Sequence, residues 1–377
     1  MKVLLTGGGS GGHFYPLIAV AEEMNRLVKE EKLLPVQLFY MSDAPYDADA
    51  LLQNSITFIP VAAGKARRYF SLLNVLDIFK TIAGVLSAMV KVFRLYPDVI
   101  FSKGAYTSFP VLFAARFFRI PVVVHESDST PGRANAWAGK FAARIAVSYP
   151  DAAQFFKNKD RIAVTGNPVR SSIQLPAPRQ TAREYMDFSE DIPVLLILGG
   201  SLGAKFINET IAEILPQLVE KYYVIHQIGK ANMEEAIGAA NIFLNDHPHK
   251  LRYRPFDYLD DLHMSMASGS ADLVISRAGS TIFEIASWGV PSILIPITDT
   301  NGDHQRKNAY YYATFGATVV IEEGNLSPNI LLSEIDRVIA NPQLLATMRA
   351  GAKSFAKPEA ATLIAREILN IGISHEQ

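Results

Sequence analysis

The chain has 377 residues, 49% of them hydrophobic and 19% charged, with a formal net charge of −1 and no cysteine. Its length suits two domains and its composition excludes a disordered chain, while the near-zero charge disfavours nucleic acid as a partner. The lack of cysteine excludes disulfides, thiolate metal sites and a cysteine nucleophile.

Apolar, strand-like runs alternate with helical patterns along the whole chain. In the first half we predict a helix over 15–29 and strands at 3–6, 36–41, 99–102, 122–125, 145–147 and 162–165. In the second half we predict helices around 206–219 and 281–288 and strands at 194–198, 223–228, 273–276 and 292–296. This alternation is typical of parallel sheets covered by helices, so the predicted fold class is α/β.

A turn-forming cluster, Thr-Gly-Asn-Pro at 165–168, suggests where one domain ends and the next begins. We predict an N-terminal domain at 1–166 and a C-terminal domain at 167–354. The last helix, at about 355–377, is expected to pack back on the first domain.

Each predicted domain carries a glycine-rich loop directly after an apolar strand. Residues 7–12 read Gly-Gly-Gly-Ser-Gly-Gly, and residues 199–203 read Gly-Gly-Ser-Leu-Gly. Glycines allow the backbone to approach a phosphate, and the helix that follows presents N–H groups and a positive dipole end. Two such loops predict two nucleotide-binding-like domains that face each other across a cleft.

The first loop also satisfies the dinucleotide fingerprint G-x-G-x-x-G, and Asp43 follows the second predicted strand where an acid would bind a ribose. A nicotinamide-dependent enzyme is therefore one interpretation. The second glycine loop disfavours it, because a dehydrogenase needs only one. A purely structural turn is a further alternative, but five glycines in six positions would be a costly way to build one.

Candidate chemistry in the first domain lies at the predicted strand ends. His13 opens the first helix, and His125, Glu126 and Asp128 follow the strand that ends near 125. Parallel sheets bind ligands at this edge. His13 is our first candidate for a general base, with Asp128 or Glu126 second, whereas His125 is equally well explained as a core residue. Arg170 is either a surface arginine or a contact to a sugar nucleotide.

In the second domain a predicted helix starts at the turn formed by Gly279, Ser280 and Thr281. The N-terminus of such a helix can hold a diphosphate. Glu284, about one turn further, can accept hydrogen bonds from ribose hydroxyls, although it could also be an ordinary surface acid. Gln305, in the sequence His-Gln-Arg-Lys-Asn, shares a helix face with Asn308 and can reach sugar hydroxyls. The acids at 47, 49, 260 and 261 are interpreted as helix starts, so we expect no metal and no cofactor.

A basic, apolar stretch spans residues 67–94. Its cations and aromatic residues suit reversible docking on an anionic membrane, although a helix buried against the sheet would show the same periodicity. We expect no spanning helix, because Lys80 and Lys91 interrupt the apolar run, and residues 1–6 show no signal-peptide pattern. The predicted membrane contacts are Arg67, Arg68, Tyr69, Phe70, Lys80, Lys91 and Arg94.

Six motifs together resemble the MurG family, the UDP-N-acetylglucosamine transferases that make lipid II for peptidoglycan. They are, in chain order, Gly8–His13, His125–Asp128 with Pro131 and Gly132, Gly166–Arg170, Gly199–Ala204, Ser276–Gly279, and His304–Gln305 with Asn308 and Ala309. The resemblance covers nearly the whole chain. It implies the glycosyltransferase B fold, two Rossmann-like domains with a cleft between them.

The resemblance also implies an activity: inverting transfer of N-acetylglucosamine from UDP to the muramyl 4-hydroxyl of lipid I, at the cytoplasmic face of the bacterial plasma membrane. The implied donor contacts are Ser10, Gly11, Gly12, Asp128, Arg170, Ser201, Leu259, Gly279, Ser280, Thr281, Glu284 and Gln305. The implied acceptor contacts are Gly8, Gly9, His13 and Tyr106, with His13, Glu126 and Asp128 as the candidates for catalysis.

Two departures from the family pattern concern Asp128, where some members carry Asn, and the turn from Arg277 to Glu284, which is one residue shorter. Other functions stay open from the sequence. They are a diacylglycerol or other lipid glycosyltransferase, a UDP-sugar-binding subunit without catalysis, and a UDP-sugar epimerase.

Overall fold

The computed structural model describes residues 1–64, 73–200, 204–298 and 301–376. The chain divides into two compact units. One unit comprises Met1–Arg170 together with Lys357–Gln377, and the other comprises Ser171–Ala356. Each unit is built on a sheet of parallel strands, so the predicted α/β class is confirmed.

The first unit has the strand order β3-β2-β1-β4-β5-β6-β7, and all neighbouring strands are parallel. Its strands are β1 (Lys2–Thr6), β2 (Gln37–Ser42), β3 (Ile56–Pro60), β4 (Val99–Ser102), β5 (Val122–Glu126), β6 (Arg144–Val147) and β7 (Ile162–Val164). Its helices up to Arg170 are α1 (Gly11–Glu30), α2 (Ala48–Gln53), α3 (Leu73–Leu95), α4 (Phe109–Phe118) and α5 (Arg133–Ala138).

The second unit repeats this arrangement with the strand order β10-β9-β8-β11-β12-β13, again parallel throughout. Its strands are β8 (Val194–Leu198), β9 (Tyr223–Gln227), β10 (Tyr253–Phe256), β11 (Leu273–Ser276), β12 (Ser292–Leu294) and β13 (Thr318–Val320). Its helices are α6 (Ser171–Gln174), α7 (Arg179–Tyr185), α8 (Lys205–Lys221), α9 (Met233–Phe243), α10 (Asp261–Ser270), α11 (Thr281–Trp288), α12 (His304–Ala313), α13 (Pro328–Ile339) and α14 (Pro342–Phe355).

The last helix, α15 (Ala360–Glu376), belongs to the first unit and packs against α1. Its buried residues recur at helical spacing, which gives the helix one apolar face. They join the core formed by β1, β4 and α1 and are Ile364, Ala365, Ile368 and Leu369.

Two acid pairs begin helices, as predicted. The Asp47 side chain accepts a hydrogen bond from the Ala50 N–H at the start of α2. The Asp260 side chain accepts one from the His263 N–H at the start of α10. A carboxylate in this position satisfies a helix N–H that would otherwise lack a partner.

The strand order determines where each unit can hold a ligand. In both sheets the first strand lies between the second and the fourth, so the chain leaves in opposite directions on either side of it. Open parallel sheets bind ligands at this switch point, beyond the carboxyl ends of the strands. In the first unit the switch point lies after β1 and β4, and in the second it lies after β8 and β11.

Candidate functional site

The first glycine loop follows β1 and lies against the end of β2. Gly8 has a φ of +133°, and a Cβ there would lie 2.6 Å from the Tyr40 hydroxyl and 2.9 Å from Ser42 Oγ. Gly9 has a φ of +81° and is exposed. Neither position tolerates a side chain without strain, so the glycines are needed for the path of the loop.

The loop ends at Ser10, whose extended backbone leads into α1. The Ser10 carbonyl accepts hydrogen bonds from the N–H groups of His13 and Phe14, at 3.1 Å each. Gly11 and Gly12 form the first turn of this helix of 20 residues. The first loop therefore places Ser10, Gly11, Gly12 and His13 at the positive end of a helix at the switch point.

The His13 ring is held by the neighbouring strand end. His13 Nδ1 lies 3.2 Å from the carbonyl oxygen of Lys103, the residue that follows β4. A carbonyl can only accept a hydrogen bond, so Nδ1 carries the proton and the neutral ring has its lone pair on Nε2. This tautomer is the one a general base at Nε2 requires.

Tyr106 and Asp43 come together on the other side of the loop. The Tyr106 hydroxyl donates to Asp43 Oδ2 at 3.0 Å, and its ring edge lies beside Gly9. Partial burial, together with this bond to Asp43, raises the pKa of the Tyr106 hydroxyl to about 12. Asp43 therefore has a hydrogen-bond partner within the protein.

Glu126, at the end of β5, is buried and accepts three hydrogen bonds. One oxygen accepts from the Asp128 N–H at 3.0 Å, and the other accepts from the Gly132 N–H at 3.0 Å and from Asn135 Nδ2 at 2.9 Å. Burial and the nearby Asp128 carboxylate raise the pKa of the Glu126 carboxyl. Glu126 thus fixes the loop that carries the half-buried Asp128.

His125 is fully buried, and its Nε2 lies 2.9 Å from the carbonyl oxygen of Gly166. Burial, and secondarily the positive charge of Lys103, hold the pKa of this imidazole well below its usual range. His125 is therefore neutral and ties β5 to the chain after β7. These contacts favour the structural interpretation of His125 over a catalytic one.

Lys103 is a residue that the sequence analysis did not single out. It is fully buried, and among the described residues its Nζ has no hydrogen-bond partner. Burial lowers the pKa of the ammonium to about 8, while the carboxylates of Glu126 and Asp128 oppose that shift. The signal that could have revealed it is a lysine that directly follows the apolar strand β4, at the switch point.

The second glycine loop follows β8. Gly200 has a φ of +76°, and Ser201 lies outside the described residues. Gln227, at the end of β9, donates from Nε2 to the Gly200 carbonyl at 3.4 Å and accepts from the Leu259 N–H at 3.1 Å. One buried amide therefore connects the glycine loop to Leu259, one of the donor contacts that the family resemblance implies.

The turn after β11 places Gly279, Ser280 and Thr281 at the start of α11. A Cβ at Gly279 would meet no atom within 4 Å, so the space beside this turn is open. Asn308, on α12, fixes the turn, because its Nδ2 donates a hydrogen bond to the Ala278 carbonyl at 3.2 Å. Glu284 lies in the first turn of α11 and is half-buried.

Gln305 is the second residue of the next helix, α12. Its Oε1 accepts a hydrogen bond from the Ile297 N–H at 3.2 Å, which fixes the chain just after β12. Arg277 donates to the Ile295 carbonyl at 3.1 Å and pairs with Glu323. The carboxyl ends of β11 and β12 are therefore held together by side chains from the predicted donor motifs. Within the described ranges, no cluster of three or more acidic or histidine side chains is arranged for a metal ion.

Helix α3 leaves an apolar face exposed. Its exposed apolar residues recur every three or four positions, as one side of a helix does. They are Ile78, Phe79, Ile82, Leu86, Val90 and Phe93, which we call the α3 apolar face. Lys80 and Arg94 are exposed beside it, and Lys91 is half-buried with its Nζ bonded to the Pro60 carbonyl. Arg67, Arg68, Tyr69 and Phe70 lie outside the described residues.

Comparison with known proteins identifies the family. Residues 3–147 match the glycosyltransferase family 28 N-terminal domain, and residues 194–364 match the glycosyltransferase family 28 C-terminal domain. The UDP-N-acetylglucosamine–N-acetylmuramyl-(pentapeptide) pyrophosphoryl-undecaprenol N-acetylglucosamine transferase of Clostridium kluyveri is 35% identical over 340 residues, which cover 89% of this chain and 91% of that protein. The chain belongs to this transferase family, the MurG family.

Solved structures agree with this assignment. The crystal structure of Acinetobacter baumannii MurG has a TM-score of 0.70 and 26% identity, and the match covers 98% of this chain and 99% of that one. The UDP-GlcNAc 2-epimerase of Neisseria meningitidis, solved bound to UDP-GlcNAc, has a TM-score of 0.69 with 16% identity and coverage of 98% and 100%, which shows a shared fold alone. The chain is a glycosyltransferase of the B fold, an N-acetylglucosaminyltransferase of peptidoglycan synthesis.

Among the described residues, no helix combines the length and the hydropathy needed to cross a membrane.

Proposed function

We propose that this chain transfers N-acetylglucosamine from UDP-N-acetylglucosamine to the 4-hydroxyl of the muramyl sugar of lipid I, with inversion, and so forms lipid II. The observation that carries the proposal is the duplicated switch point. Each unit has a glycine loop after its first strand and polar side chains after its fourth, in a chain of the MurG family. A transferase needs two such places, one for each substrate.

The donor is assigned to the second unit. The turn Gly279–Thr281 offers N–H groups and the positive end of α11 to the diphosphate, and the space beside Gly279 is open. Glu284 would accept hydrogen bonds from the ribose hydroxyls, and Leu259 would lie against the uracil. Ser201 and Gln305 complete the proposed donor contacts of this unit.

The acceptor is assigned to the first unit. Gly8 and Gly9 allow the lipid diphosphate to approach the backbone at the start of α1. Tyr106, whose hydroxyl stays protonated at any physiological pH, can donate a hydrogen bond to the acceptor when it is not bonded to Asp43. Ser10, Gly11, Gly12 and Arg170 stay predictions as donor contacts of this unit.

His13 is proposed as the base that removes the proton of the acceptor hydroxyl. The Lys103 carbonyl fixes Nδ1 as the protonated nitrogen, so Nε2 is ready to accept a proton. The bond from the acceptor oxygen to the anomeric carbon forms while the bond to UDP breaks. UDP leaves as a diphosphate anion stabilised by the N-terminus of α11, so no proton donor is required.

The two carboxylates differ in what they can do. Both oxygens of Glu126 are occupied by protein N–H donors, so its role in the proposal is to position the loop rather than to accept a proton. Asp128 is half-buried and stands as the alternative base or as a contact to the transferred sugar.

The α3 apolar face is proposed as the surface that docks on the membrane that holds lipid I, at its cytoplasmic side. Burial of an exposed apolar side chain in the headgroup layer gives about 1.5–3 kcal/mol. A cation near an anionic leaflet, such as Lys80 or Arg94, adds about 1 kcal/mol. A few such contacts suffice for reversible binding of a peripheral protein.

The reaction is tested by transfer of radiolabelled N-acetylglucosamine from the UDP sugar to a short-chain lipid I analogue in the presence of EDTA. Label in the lipid product would support UDP-N-acetylglucosamine as the donor, lipid I as the acceptor and a reaction that needs no metal. Label only in added diacylglycerol would support the lipid glycosyltransferase alternative, and a 2-epimer of the donor would support an epimerase. Donor binding without any product would support the remaining alternative, a UDP-sugar-binding subunit without catalysis.

The base is tested with His13→Ala and His13→Gln. General-base catalysis contributes roughly 10²–10⁴-fold, so we expect kcat to fall within that range while calorimetric affinity for UDP stays that of the wild type. Near-normal turnover in His13→Ala would assign the base elsewhere, and Asp128→Asn would then be the variant that loses activity.

The docking surface is tested by sedimentation with vesicles of phosphatidylcholine and phosphatidylglycerol. The double variant Ile82→Glu/Leu86→Glu should lose most of its vesicle binding while activity on a detergent-dispersed acceptor is kept. Ile242→Glu is the matched control, because Ile242 is 78% exposed on α9 of the other unit. Equal binding of both variants would refute docking through α3.

A further inference from the structure

Lys103 is unusual because a lysine is almost never fully buried unless it is paired. Its exposure is 0%, and no described group accepts a hydrogen bond from its Nζ. Its backbone is fixed on both sides: its N–H donates to the Thr6 carbonyl at 2.9 Å, and its carbonyl bonds the His13 ring. Its Cβ also lies 3.1 Å from where a Cβ of Gly7 would stand.

The charged groups near this ammonium all belong to the candidate site. Glu126 ends β5 and Asp128 lies in the loop after it, and both carboxylates stabilise the charged form of Lys103. The remaining titratable groups are two imidazoles, His125 on β5 and His13 on α1. Glu126 receives its hydrogen bonds from neutral groups only, and Lys103 supplies a positive charge that faces the pair.

We propose that Lys103 is a positioning residue of the transfer reaction, whose buried ammonium balances the negative charge that Glu126 and Asp128 place beside the bound acceptor. The inference rests on the proposed function, and it concerns the charge of the site rather than the identity of the base. A buried carboxyl beside a second carboxylate, as Glu126 is, takes up a proton more readily when no cation is near.

The proposal implies a limit to activity at each end of the pH range. At low pH the buried Glu126 carboxyl takes up a proton, and the positive charge of Lys103 keeps that step at lower pH than an uncharged residue would. At high pH the ammonium itself loses its proton, near the pH of about 8 that its burial sets. The neutral amine no longer balances the pair, so transfer should decline above this pH.

The experiment is the pH profile of kcat/KM for transfer to the lipid I analogue, from pH 5.5 to 9.5. The enzymes are the wild type, Lys103→Met, Lys103→Arg and the control Lys140→Met, which removes an exposed lysine of the same unit. Calorimetry with UDP and a melting temperature accompany each variant.

For Lys103→Met we expect kcat/KM at pH 7 to fall by about tenfold, the acid limb to move to higher pH by about one unit, and the limb near pH 8 to disappear. Lys103→Arg stays charged throughout this range, so it should keep the acid limb and lose the alkaline one. Lys140→Met should follow the wild-type profile, and UDP affinity should be unchanged in all.

Three results overturn the proposal. The first is a Lys103→Met profile parallel to that of the wild type, because a purely structural lysine would lower the rate without moving either limb. The second is an alkaline limb that Lys103→Arg retains. The third needs no variant: a wild-type kcat/KM that stays flat from pH 7 to 9.5. An inactive wild type would instead refute the proposed function, so the two failures are distinguishable.

Discussion

The guanidinium carbon of Arg170 lies 3.7 Å from the centroid of the Tyr15 ring. Arg170 is 8% exposed at the end of the first unit, and Tyr15 lies on α1, two residues after His13. The arginine expected to contact the nucleotide sugar is therefore stacked on the helix that carries the proposed base. A cation over an aromatic face gains about 0.5–2 kcal/mol, more as the pair is desolvated.

This stacking predicts the effect of changes at Tyr15. Tyr15→Leu removes the ring, so Arg170 should lose its fixed position and the KM for UDP-N-acetylglucosamine should rise about threefold to tenfold, with a smaller change in kcat. Tyr15→Phe is the matched control, because it keeps the ring and removes the hydroxyl, which bonds Asp47. The same KM in both variants would show that the ring does not hold Arg170 for the donor.

The hydrogen bonds of Glu126 predict a loss of stability on neutralisation. Glu126→Gln places an amide NH₂ against one of three N–H donors, so a buried donor is left without an acceptor at a cost of about 1–3 kcal/mol. Asp128→Asn, at a half-buried position, should lower stability less than Glu126→Gln does and lower activity more. Urea unfolding and the transfer assay compare the two, and the reverse ranking of stabilities would contradict the assignment of Glu126 as the residue that positions the loop.

Lys103 predicts a change of stability with pH. Its pKa is about 8 in the folded chain against 10.5 for an ordinary lysine, so between these limits the unfolded chain binds more protons. The free energy of unfolding should therefore rise with pH above 8, by about 2 kcal/mol between pH 7.5 and 9.5. Lys103→Met should lack this rise. Measurements stay below pH 10, because Tyr40 and Tyr106, whose pKa values are raised to about 12, influence stability above that.

Sequence patterns identified the central strands and the edge strand β7, and missed the other three edge strands. The strands β4, β8 and β11 have the predicted bounds because they are continuous buried apolar runs between polar segments. The strands β3, β10 and β13 were not predicted. They lie at sheet edges and are only partly buried, and two of them contain proline, so neither alternation nor an apolar run marks them.

The candidate site likewise contains residues that the sequence could indicate and contacts that it could not. Glycine loops and the residues that follow strands are local in sequence, so Gly8, His13 and Gly279 could be proposed from their spacing. Contacts across strands leave no such pattern. The Lys103 carbonyl on the His13 ring joins residues 90 positions apart, and only the pairing of β1 with β4 brings them together. The hydrogen bonds that occupy Glu126 were likewise invisible, which is why the sequence could not separate its role from that of Asp128.

Gln227 gives the last prediction, for the second unit. Its side chain is 4% exposed and bonds both Gly200 and Leu259, so it couples the glycine loop to the proposed uracil segment. Gln227→Glu can still accept from the Leu259 N–H but repels the Gly200 carbonyl, whereas Gln227→Leu loses both bonds. Each bond contributes about 0.5–1.5 kcal/mol, so UDP affinity should fall about threefold to tenfold in Gln227→Glu and further in Gln227→Leu.

Calorimetry with uridine, compared with UDP, distinguishes the effects of the two Gln227 hydrogen bonds. Gln227→Leu should weaken uridine as well as UDP, because the Leu259 backbone is released, while Gln227→Glu should weaken UDP with little effect on uridine. Equal losses for both ligands in both variants would mean that Gln227 supports the fold of the unit and does not position separate parts of the donor.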